Sequence, residues 1–291
     1  MKYQSALAFA LLFSILPTQA KLTPKVVYGQ DDRLDVYETV NQTHLKLATA
    51  TAAMIPSNSL QAQSDDSIEI TGGTLEGDGM CATERFAKQR TAAMCSGFLV
   101  GDQYLVTAGH CIQTKADCKN NNWVFDYNVK SKDQADYVVS QSNVYGCSEI
   151  ISQKLERSSQ DDFALIKLDR PVVGIQPLKF RTAGKITDKA RLIMIGHPSG
   201  LPTKIEAGGS VRNNKNSVYF QATTDSYGGN SGSAVFNFDT GEVEGILVRG
   251  DTDYKYDSRK GCYVTNVCRE DSCRGEDVTR ITNIAELKNI R

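Results

Sequence analysis

Three separate segments of the sequence carry the side-chain types that nucleophilic catalysis needs. His110 follows an apolar strand-like run, Asp162 begins another such run, and Ser231 lies in a glycine-rich turn between two more. A serine hydroxyl becomes a strong nucleophile when a neighbouring imidazole accepts its proton. The imidazole needs a carboxylate that fixes its tautomer and stabilises its protonated form. The pattern therefore predicts a catalytic triad of Ser231, His110 and Asp162.

The residues around Ser231 are suited to stabilise a negatively charged oxygen. Glycines let the backbone bend so that successive N–H groups converge on one acceptor. We expect the N–H groups of Gly229 and Ser231 to form this oxyanion hole. The competing Gly-x-Ser-x-Gly pattern of α/β-hydrolases does not fit, because Ser233 replaces its last glycine and because that fold places the histidine last in the chain.

Two members of the triad also have a purely structural interpretation. His110 would then be a buried structural histidine, and Ser231 would be an ordinary turn residue. The occurrence of matching serine, histidine and aspartate segments in one chain argues against both. Asp161 is interpreted as the solvated neighbour of Asp162.

Bulk composition excludes some classes of partner. The 291 residues are 40% hydrophobic and 23% charged with a net charge of −1, so no basic patch for nucleic acid or for an anionic membrane is expected. Residues 1–20 combine Lys2, an apolar run that only Ser14 interrupts, and small residues ending at Ala20. That pattern predicts a signal peptide, too short to span a bilayer, and a chain that is secreted, or periplasmic in a Gram-negative bacterium.

Cysteine usage agrees with export. Eight cysteines all follow the predicted signal peptide, and an even number in an exported chain favours disulfide bonds. A zinc site is disfavoured, because the sequence has neither CxxC pairs nor histidines near the C-terminal cysteines. We therefore expect no metal and no cofactor.

Short strand signals run along most of the chain. They are rich in β-branched and aromatic residues and are bounded by Gly, Asn, Asp or Pro, which is typical of an antiparallel sandwich or barrel. Residues 57–80 are interpreted as a long surface connection, and apolar residues about every third position over 281–290 predict a short terminal helix. A break near residues 170–177 divides an N-terminal unit, residues 26–172, from a C-terminal unit, residues 173–291. The signals lie at 98–100, 104–106, 123–125, 137–139, 163–168, 192–195, 218–220, 234–236 and 243–248.

The three catalytic segments resemble those of the chymotrypsin-like serine protease superfamily. TAGHC, DFAL and GNSG occur here in the chain order of that superfamily, and the resemblance covers about residues 26–285. It implies an all-β fold of two six-stranded antiparallel β-barrels with a short C-terminal helix. It also implies a monomeric serine endopeptidase that hydrolyses protein or peptide substrates through an acyl-enzyme intermediate.

Within the superfamily the chain is most similar to the bacterial V8-like, or glutamyl endopeptidase, branch. GGNSGSAVFN differs from the pattern of that branch only at Ala234, and Asn230 stands where trypsins carry an aspartate. The start of the ordered chain at Val26 also resembles the mature start of these enzymes, which implies that residues 21–25 are a short propeptide. Cys95 and Cys111 resemble the disulfide that braces the histidine loop of animal trypsins. Because that disulfide is available, Cys111 is less suited to be the nucleophile of a cysteine protease.

The resemblance leaves the specificity open. Asp225 lies six residues before Ser231, where trypsins place the aspartate that binds Lys or Arg, but some Glu-specific relatives carry aspartate there too. Leu247 follows Gly-Ile where Glu-specific enzymes carry a histidine, and Arg249 either attracts acidic substrates or faces solvent. With Ser226, these residues form the predicted substrate pocket. Two other functions remain: an inactive protease homologue that acts as a binding module, and a serine esterase.

Overall fold

The computed structural model describes residues 27–269 and 271–290. The predicted signal peptide and propeptide lie outside the described residues, and so does Val26, the predicted mature start. Within the described part of the chain, no helix is long and apolar enough to cross a membrane.

Short strands dominate the described chain, as the β-branched and aromatic runs predict. Those before residue 170 are β1 Val27–Tyr28, β2 Leu34–Asp35, β3 Thr51–Pro56, β4 Leu60–Ala62, β5 Ser67–Ile70, β6 Gly73–Thr74, β7 Arg90–Thr91, β8 Cys95–Gly101, β9 Tyr104–Thr107, β10 Asn121–Phe125, β11 Val138–Ser140, β12 Val144–Glu156 and β13 Asp161–Leu168. Those after it are β14 Leu192–Gly196, β15 Lys204–Glu206, β16 Val211–Asn213, β17 Tyr219–Ala222, β18 Ala234–Asn237, β19 Val243–Arg249, β20 Tyr254–Asp257, β21 Cys262–Thr265, β22 Val267–Cys268 and β23 Glu276–Arg280.

Helical structure in the described residues is brief. The α-helices are α1 Gln42–Ala48 and α2 Lys115–Asn120, and both begin at capped residues, because the side chains of Asn41 and Thr114 accept hydrogen bonds from free N–H groups of the first turn. Single turns of 3₁₀-helix cover Val36–Glu38, Ser57–Ser59, Gln141–Asn143, Pro198–Gly200, Ile281–Asn283 and Ala285–Asn289.

A closed barrel positions the histidine and aspartate segments. Its six strands follow the order β10-β12-β13-β9-β8-β3, and fully buried residues such as Trp123, Phe98 and Leu105 fill it. Strands β9 and β13 are antiparallel neighbours, and Ala164 pairs with Thr107. This register brings the end of β9, just before His110, next to the beginning of β13, where Asp162 lies.

A second sheet carries Ser231 in the turn between β17 and β18. Eight strands follow the order β16-β17-β23-β19-β18-β14-β15-β2, and they form a half-barrel. A bridge between Arg191 and Ser210 links the residues just before β14 and β16. The predicted fold of two antiparallel β-barrels is confirmed, although the second is less regularly closed than the first. Strands β1 and β2 pair with β22 and β15, so the start of the described chain is bound to the C-terminal half.

Two regions differ from their predicted form. Residues 57–80 contain strands β4, β5 and β6, so the prediction of a long surface connection was wrong. Ile68 and Ile70 are buried between the polar Ser67 and Glu69, a period of two that the polar composition concealed. The terminal segment forms 3₁₀ turns, and the buried Ile281, Ile284 and Leu287 repeat every three residues, as three residues per turn require.

All eight cysteines form disulfide bonds. The pairs are Cys81–Cys262, Cys95–Cys111, Cys118–Cys147 and Cys268–Cys273. The expectation of disulfides is confirmed. The Cys95–Cys111 bond ties the segment that follows β9 to the start of β8.

The long disulfide should stabilise the fold more than the short one. Cys81–Cys262 spans 181 residues and Cys268–Cys273 spans 5. By loop-closure entropy, replacing both cysteines by serine should lower the free energy of unfolding by about 5 kcal/mol for the first pair and about 2 kcal/mol for the second. Urea unfolding of the two double variants measures this, and equal losses would contradict the entropic account.

Candidate active site

The carboxylate of Asp162 holds His110 at two points. Its Oδ2 lies 2.8 Å from the ring Nδ1 of His110, and its Oδ1 accepts a hydrogen bond from the main-chain N–H of the same residue at 3.0 Å. Only 2% of the Asp162 side chain is exposed. Because an ionised carboxylate only accepts hydrogen bonds, Nδ1 is the donor in this contact, and Nε2 takes no part in it. In this arrangement a carboxylate could orient an imidazole that acts as a general base.

Gly109 allows this close approach of His110. A side chain at this position would collide with the main-chain oxygens of Lys154 and Phe163, which belong to β12 and β13. The neighbouring Asp161 was predicted to be solvated, and that prediction was wrong. It is 6% exposed, forms an ion pair with Lys154 at 3.1 Å and accepts a hydrogen bond from Asn283 at 2.9 Å.

The main chain of Ser231 contacts the histidine-bearing barrel. Its carbonyl oxygen accepts a hydrogen bond from the Ser96 N–H at 2.8 Å and lies 3.7 Å from the Cys111 sulfur, one residue from His110. On the other side, the next N–H, of Gly232, donates to the Leu247 carbonyl at 2.8 Å. The structure therefore brings the backbone of Ser231 next to the histidine segment.

Ser96 is a positioning residue that the sequence analysis missed. Its hydroxyl donates to the Gly229 carbonyl at 2.8 Å and accepts from the His197 N–H at 2.9 Å, while its N–H holds Ser231. It is fully buried. Ser96 thus fixes both ends of the predicted oxyanion turn. Its sequence signal is weak: a hydroxyl at the start of an otherwise apolar strand.

Gly229 has a conformation that few other residues adopt. Its φ is +90°, and an added Cβ would lie 2.5 Å from the His197 main-chain oxygen. With the Gly229 carbonyl turned towards Ser96, no described residue accepts a hydrogen bond from the Gly229 or Ser231 N–H. Two N–H groups are therefore available for a negatively charged oxygen.

Three neighbouring cavities surround these residues. A cavity of about 200 Å³ is lined by Ser231, Ser226, Leu247, Arg249 and Glu276. One of about 460 Å³, which shares Arg249, is lined by His110 and Asp162. A third, of about 450 Å³ and mostly apolar, is lined by Gly228, Gly229, Leu75 and Met80. Each of the two larger cavities shares lining residues with the one that Ser231 lines, so the three together offer room for an extended chain.

Three of the four predicted pocket residues, Ser226, Leu247 and Arg249, line the smallest cavity, and Asp225 does not. The Asp225 carboxylate instead accepts hydrogen bonds from the N–H groups of Tyr28 at 2.7 Å and Asp32 at 3.2 Å. Burial raises the pKa of Asp225 to about 8, and the Asp32 carboxylate adds to the effect. Asp225 therefore anchors the start of the described chain.

Arg249 is neither free for an acidic ligand nor turned wholly to solvent. Its guanidinium lies 3.2 Å from the Asp277 carboxylate and 3.6 Å from Asp162, and it donates to the Gln160 carbonyl at 3.0 Å. Arg249 thus places a positive charge close to the Asp162 carboxylate, which holds His110.

The sulfurs of Cys95 and Cys111 and a ring nitrogen of His110 lie close enough together to share a metal ion. Both sulfurs belong to one disulfide, so neither can become the thiolate that a metal requires. The donor set does not fit a metal.

Comparisons with known proteins agree with this geometry. Residues 95–246, just over half of the chain, match a family model described as a trypsin-like peptidase domain. Trypsin Blo t 3 of Blomia tropicalis is 26% identical over 148 residues, which are 47% of this chain and 53% of that protein. The match spans about half the length of this curated relative.

Solved structures share the fold. A Glu endopeptidase in complex with MPD aligns with a TM-score of 0.51 and 15% identity, over 91% of this chain and 98% of that one. The VesB protease of Vibrio cholerae aligns with a TM-score of 0.52 and 12% identity, over 91% and 67% of the two chains. At such identities these likenesses show the fold alone. With the family match, they confirm the resemblance drawn from the three motifs.

His197 should stay neutral under conditions in which an exposed histidine titrates. Its ring is fully buried, stacks on Tyr127 at 5.7 Å, and has Nδ1 3.0 Å from the Leu201 carbonyl. Burial lowers its pKa from 6.5 to about 3. Since the unfolded chain then takes up the proton first, this residue's contribution to stability is complete above pH ~6.5 and is lost as the pH falls towards ~3.

Nuclear magnetic resonance of the imidazole nitrogens measures this directly. We expect the His197 signals to remain constant between pH 8 and pH 5, with His44→Gln and His110→Ala variants assigning the other two rings. A His197 signal that titrates near pH 6.5 would contradict the burial argument.

Proposed function

Because the chain belongs to the trypsin-like peptidase family, we propose that it is a secreted serine endopeptidase whose catalytic triad is Ser231, His110 and Asp162. The observation that carries the proposal is the double hold of Asp162 on the ring and main chain of His110. The Ser231 main chain contacts the adjoining strand and disulfide, which supports its role as the third member.

Acylation begins with attack of the Ser231 oxygen on the carbonyl carbon of a peptide bond. His110 takes the serine proton on Nε2 as the new C–O bond forms, and Asp162 stabilises the resulting imidazolium. The carbonyl oxygen becomes negatively charged and is held by the Gly229 and Ser231 N–H groups. The C–N bond then breaks, and His110 gives its proton to the leaving amine.

Deacylation repeats these steps with water. A water molecule gives a proton to His110 and attacks the ester carbon, and collapse of the second tetrahedral intermediate returns that proton to Ser231. Apart from the substrate and water, the steps use only side-chain and main-chain groups of this chain. The two cavities that adjoin the one lined by Ser231 favour an extended protein or peptide substrate over a small ester.

Export and processing complete the proposal. Four disulfides are typical of exported chains, and β1, beginning at Val27, is paired with β22, which supports a mature chain that starts nearby. We propose cleavage of the signal peptide after Ala20 and of residues 21–25 after Lys25, as in the V8-like branch, to give a monomeric enzyme. Sequencing the amino terminus of active protein should give Val26, and active protein that starts at Lys21 would refute the propeptide.

Ser231→Ala should remove activity while the fold remains. We expect the processed wild-type protein to be labelled by diisopropyl fluorophosphate and to digest casein, and the variant to lose labelling and to lose about a million-fold in kcat. The exposed Ser142→Ala is the matched control and should behave as wild type. Unchanged circular dichroism separates loss of chemistry from loss of fold.

The outcomes distinguish the alternatives. A folded wild-type protein that is not labelled would favour an inactive homologue that acts as a binding module. Labelling without casein digestion, but with hydrolysis of small acyl esters, would favour an esterase.

A further inference from the structure

Building on the proposed function, we propose that Glu276 sets the specificity by binding a positively charged Lys or Arg side chain in the cavity next to Ser231. The cavity lies within reach of the proposed nucleophile, since Ser231 and Gly228 line it together with Glu276. Its volume of about 200 Å³ is below that of drug-sized ligand sites and is on the scale of one side chain.

The carboxylate of Glu276 is only partly paired. The residue is 1% exposed, and its Oε2 accepts a hydrogen bond from the Ser226 hydroxyl at 2.7 Å. Its other oxygen, Oε1, has no hydrogen-bond partner among the described residues. A Cβ on Gly250, another residue of the cavity wall, would collide with this carboxylate. The Glu276 carboxylate therefore belongs to the cavity wall, between Ser226 and Gly250, and one of its oxygens lacks a hydrogen-bond partner among the described residues.

Acidic residues outnumber basic ones among the residues that line the cavity. Asp251 and Asp253 also line it, and Asp253 accepts a hydrogen bond from the Gly228 N–H at 2.6 Å. Arg249 is the one cation among the lining residues, and its guanidinium is already bound by Asp277 and Gln160. Three carboxylates thus face one engaged guanidinium. An acidic substrate side chain would be repelled, whereas an ammonium or guanidinium group would gain charge-assisted hydrogen bonds.

Without a bound cation, burial disfavours the ionised form of Glu276. Burial raises the pKa of Glu276 from 4.5 to about 8, and nearby Asp253 adds to the rise, while the Ser226 hydroxyl, the nearby Asp251 main-chain N–H and the Arg274 guanidinium oppose it. Tyr28, a further titratable group near Glu276, is protonated at neutral pH because burial raises its pKa above the usual value of 10.0. A bound cation favours ionised Glu276, so its binding should release a proton below pH ~8 and strengthen as the pH rises.

Asp225 is the competing candidate for the same role. Its carboxylate is bound to the Tyr28 and Asp32 N–H groups, outside the lining of the cavity. The two acids are therefore distinguishable by substitution. Leu247 lines the cavity and offers an apolar surface for the methylene groups of Lys or Arg.

The test compares peptides that differ only in the residue before the cleaved bond: Arg, Lys, Glu or Leu. We expect wild-type kcat/KM to be at least 100-fold higher for Arg and Lys than for Glu. Glu276→Gln, which keeps the size and can still accept from Ser226, should lower the Arg-to-Leu ratio by about 10- to 100-fold. Asp225→Asn should keep the ratio, and the exposed Glu149→Gln is the matched Glu-to-Gln control.

A second measurement needs neither turnover nor a folded variant. Calorimetric titration of the wild-type protein with n-butylguanidinium, in buffers of different ionisation enthalpy, should show binding coupled to proton release at pH 7. Affinity should increase between pH 6 and pH 8, and butyrate should not bind.

The outcomes separate this inference from the proposed function. A protein that reacts with diisopropyl fluorophosphate but cleaves after Glu or Leu overturns the role of Glu276 and leaves the protease intact. If Asp225→Asn loses the Arg preference and Glu276→Gln keeps it, the role of Glu276 is likewise overturned and the protease function stands. If no labelling or cleavage occurs, the proposed function fails, and n-butylguanidinium binding still decides the inference: binding with proton release supports it, and no binding overturns it.

Discussion

The buried carboxylate of Asp162 is the constraint on which the candidate site depends. A charge that is 2% exposed is costly unless hydrogen bonds and opposite charges compensate it. The first barrel supplies the ring and the main-chain N–H of His110, and the half-barrel supplies the Arg249 guanidinium at 3.6 Å. Residues from both halves of the fold therefore compensate the buried Asp162 carboxylate. His110, which makes two of these contacts, lies where the two halves meet.

A second set of contacts fixes the serine turn to this interface. Ser96, on β8, uses its N–H and its hydroxyl to hold the carbonyl groups of Ser231 and Gly229. With those carbonyls engaged, the N–H groups of Gly229 and Ser231 have no acceptor among the described residues, and free N–H groups of this kind can stabilise an oxyanion. The turn is thus shaped by hydrogen bonds from the opposite barrel as well as by its own glycines.

The features that could be predicted from the sequence are those set by residues close together along the chain. The strand signals, the even number of cysteines and the three motifs were sufficient for the fold class and for the His110 and Asp162 segments. Ile68 and Ile70 were missed because polar neighbours lowered the average hydropathy of a real strand. The sequence alone left six cysteines unpaired, since Cys81 and Cys262 are far apart along the chain and meet only in the folded protein.

The pocket residues show the same limit more clearly. The six-residue spacing from Ser231 placed Asp225 near the site, but spacing does not say which way a side chain points. Tyr28 and Asp32, almost two hundred positions away, supply the N–H groups that hold it. Glu276 had no motif around it, and its importance appears only when β23 is placed between β17 and β19.

Three buried acids in this region are compensated in different ways. Asp162 has a histidine and a guanidinium, Asp225 has two backbone N–H groups, and Glu276 has one hydroxyl. Both carboxylate oxygens of Asp162 and of Asp225 have hydrogen-bond partners within the protein. One oxygen of Glu276 has no hydrogen-bond partner among the described residues, and burial favours the protonated form of Glu276 as it does that of Asp225. Asp225 carries a similar burial penalty, but Glu276 alone of the three lines the cavity beside Ser231, where a bound cation would remove that penalty.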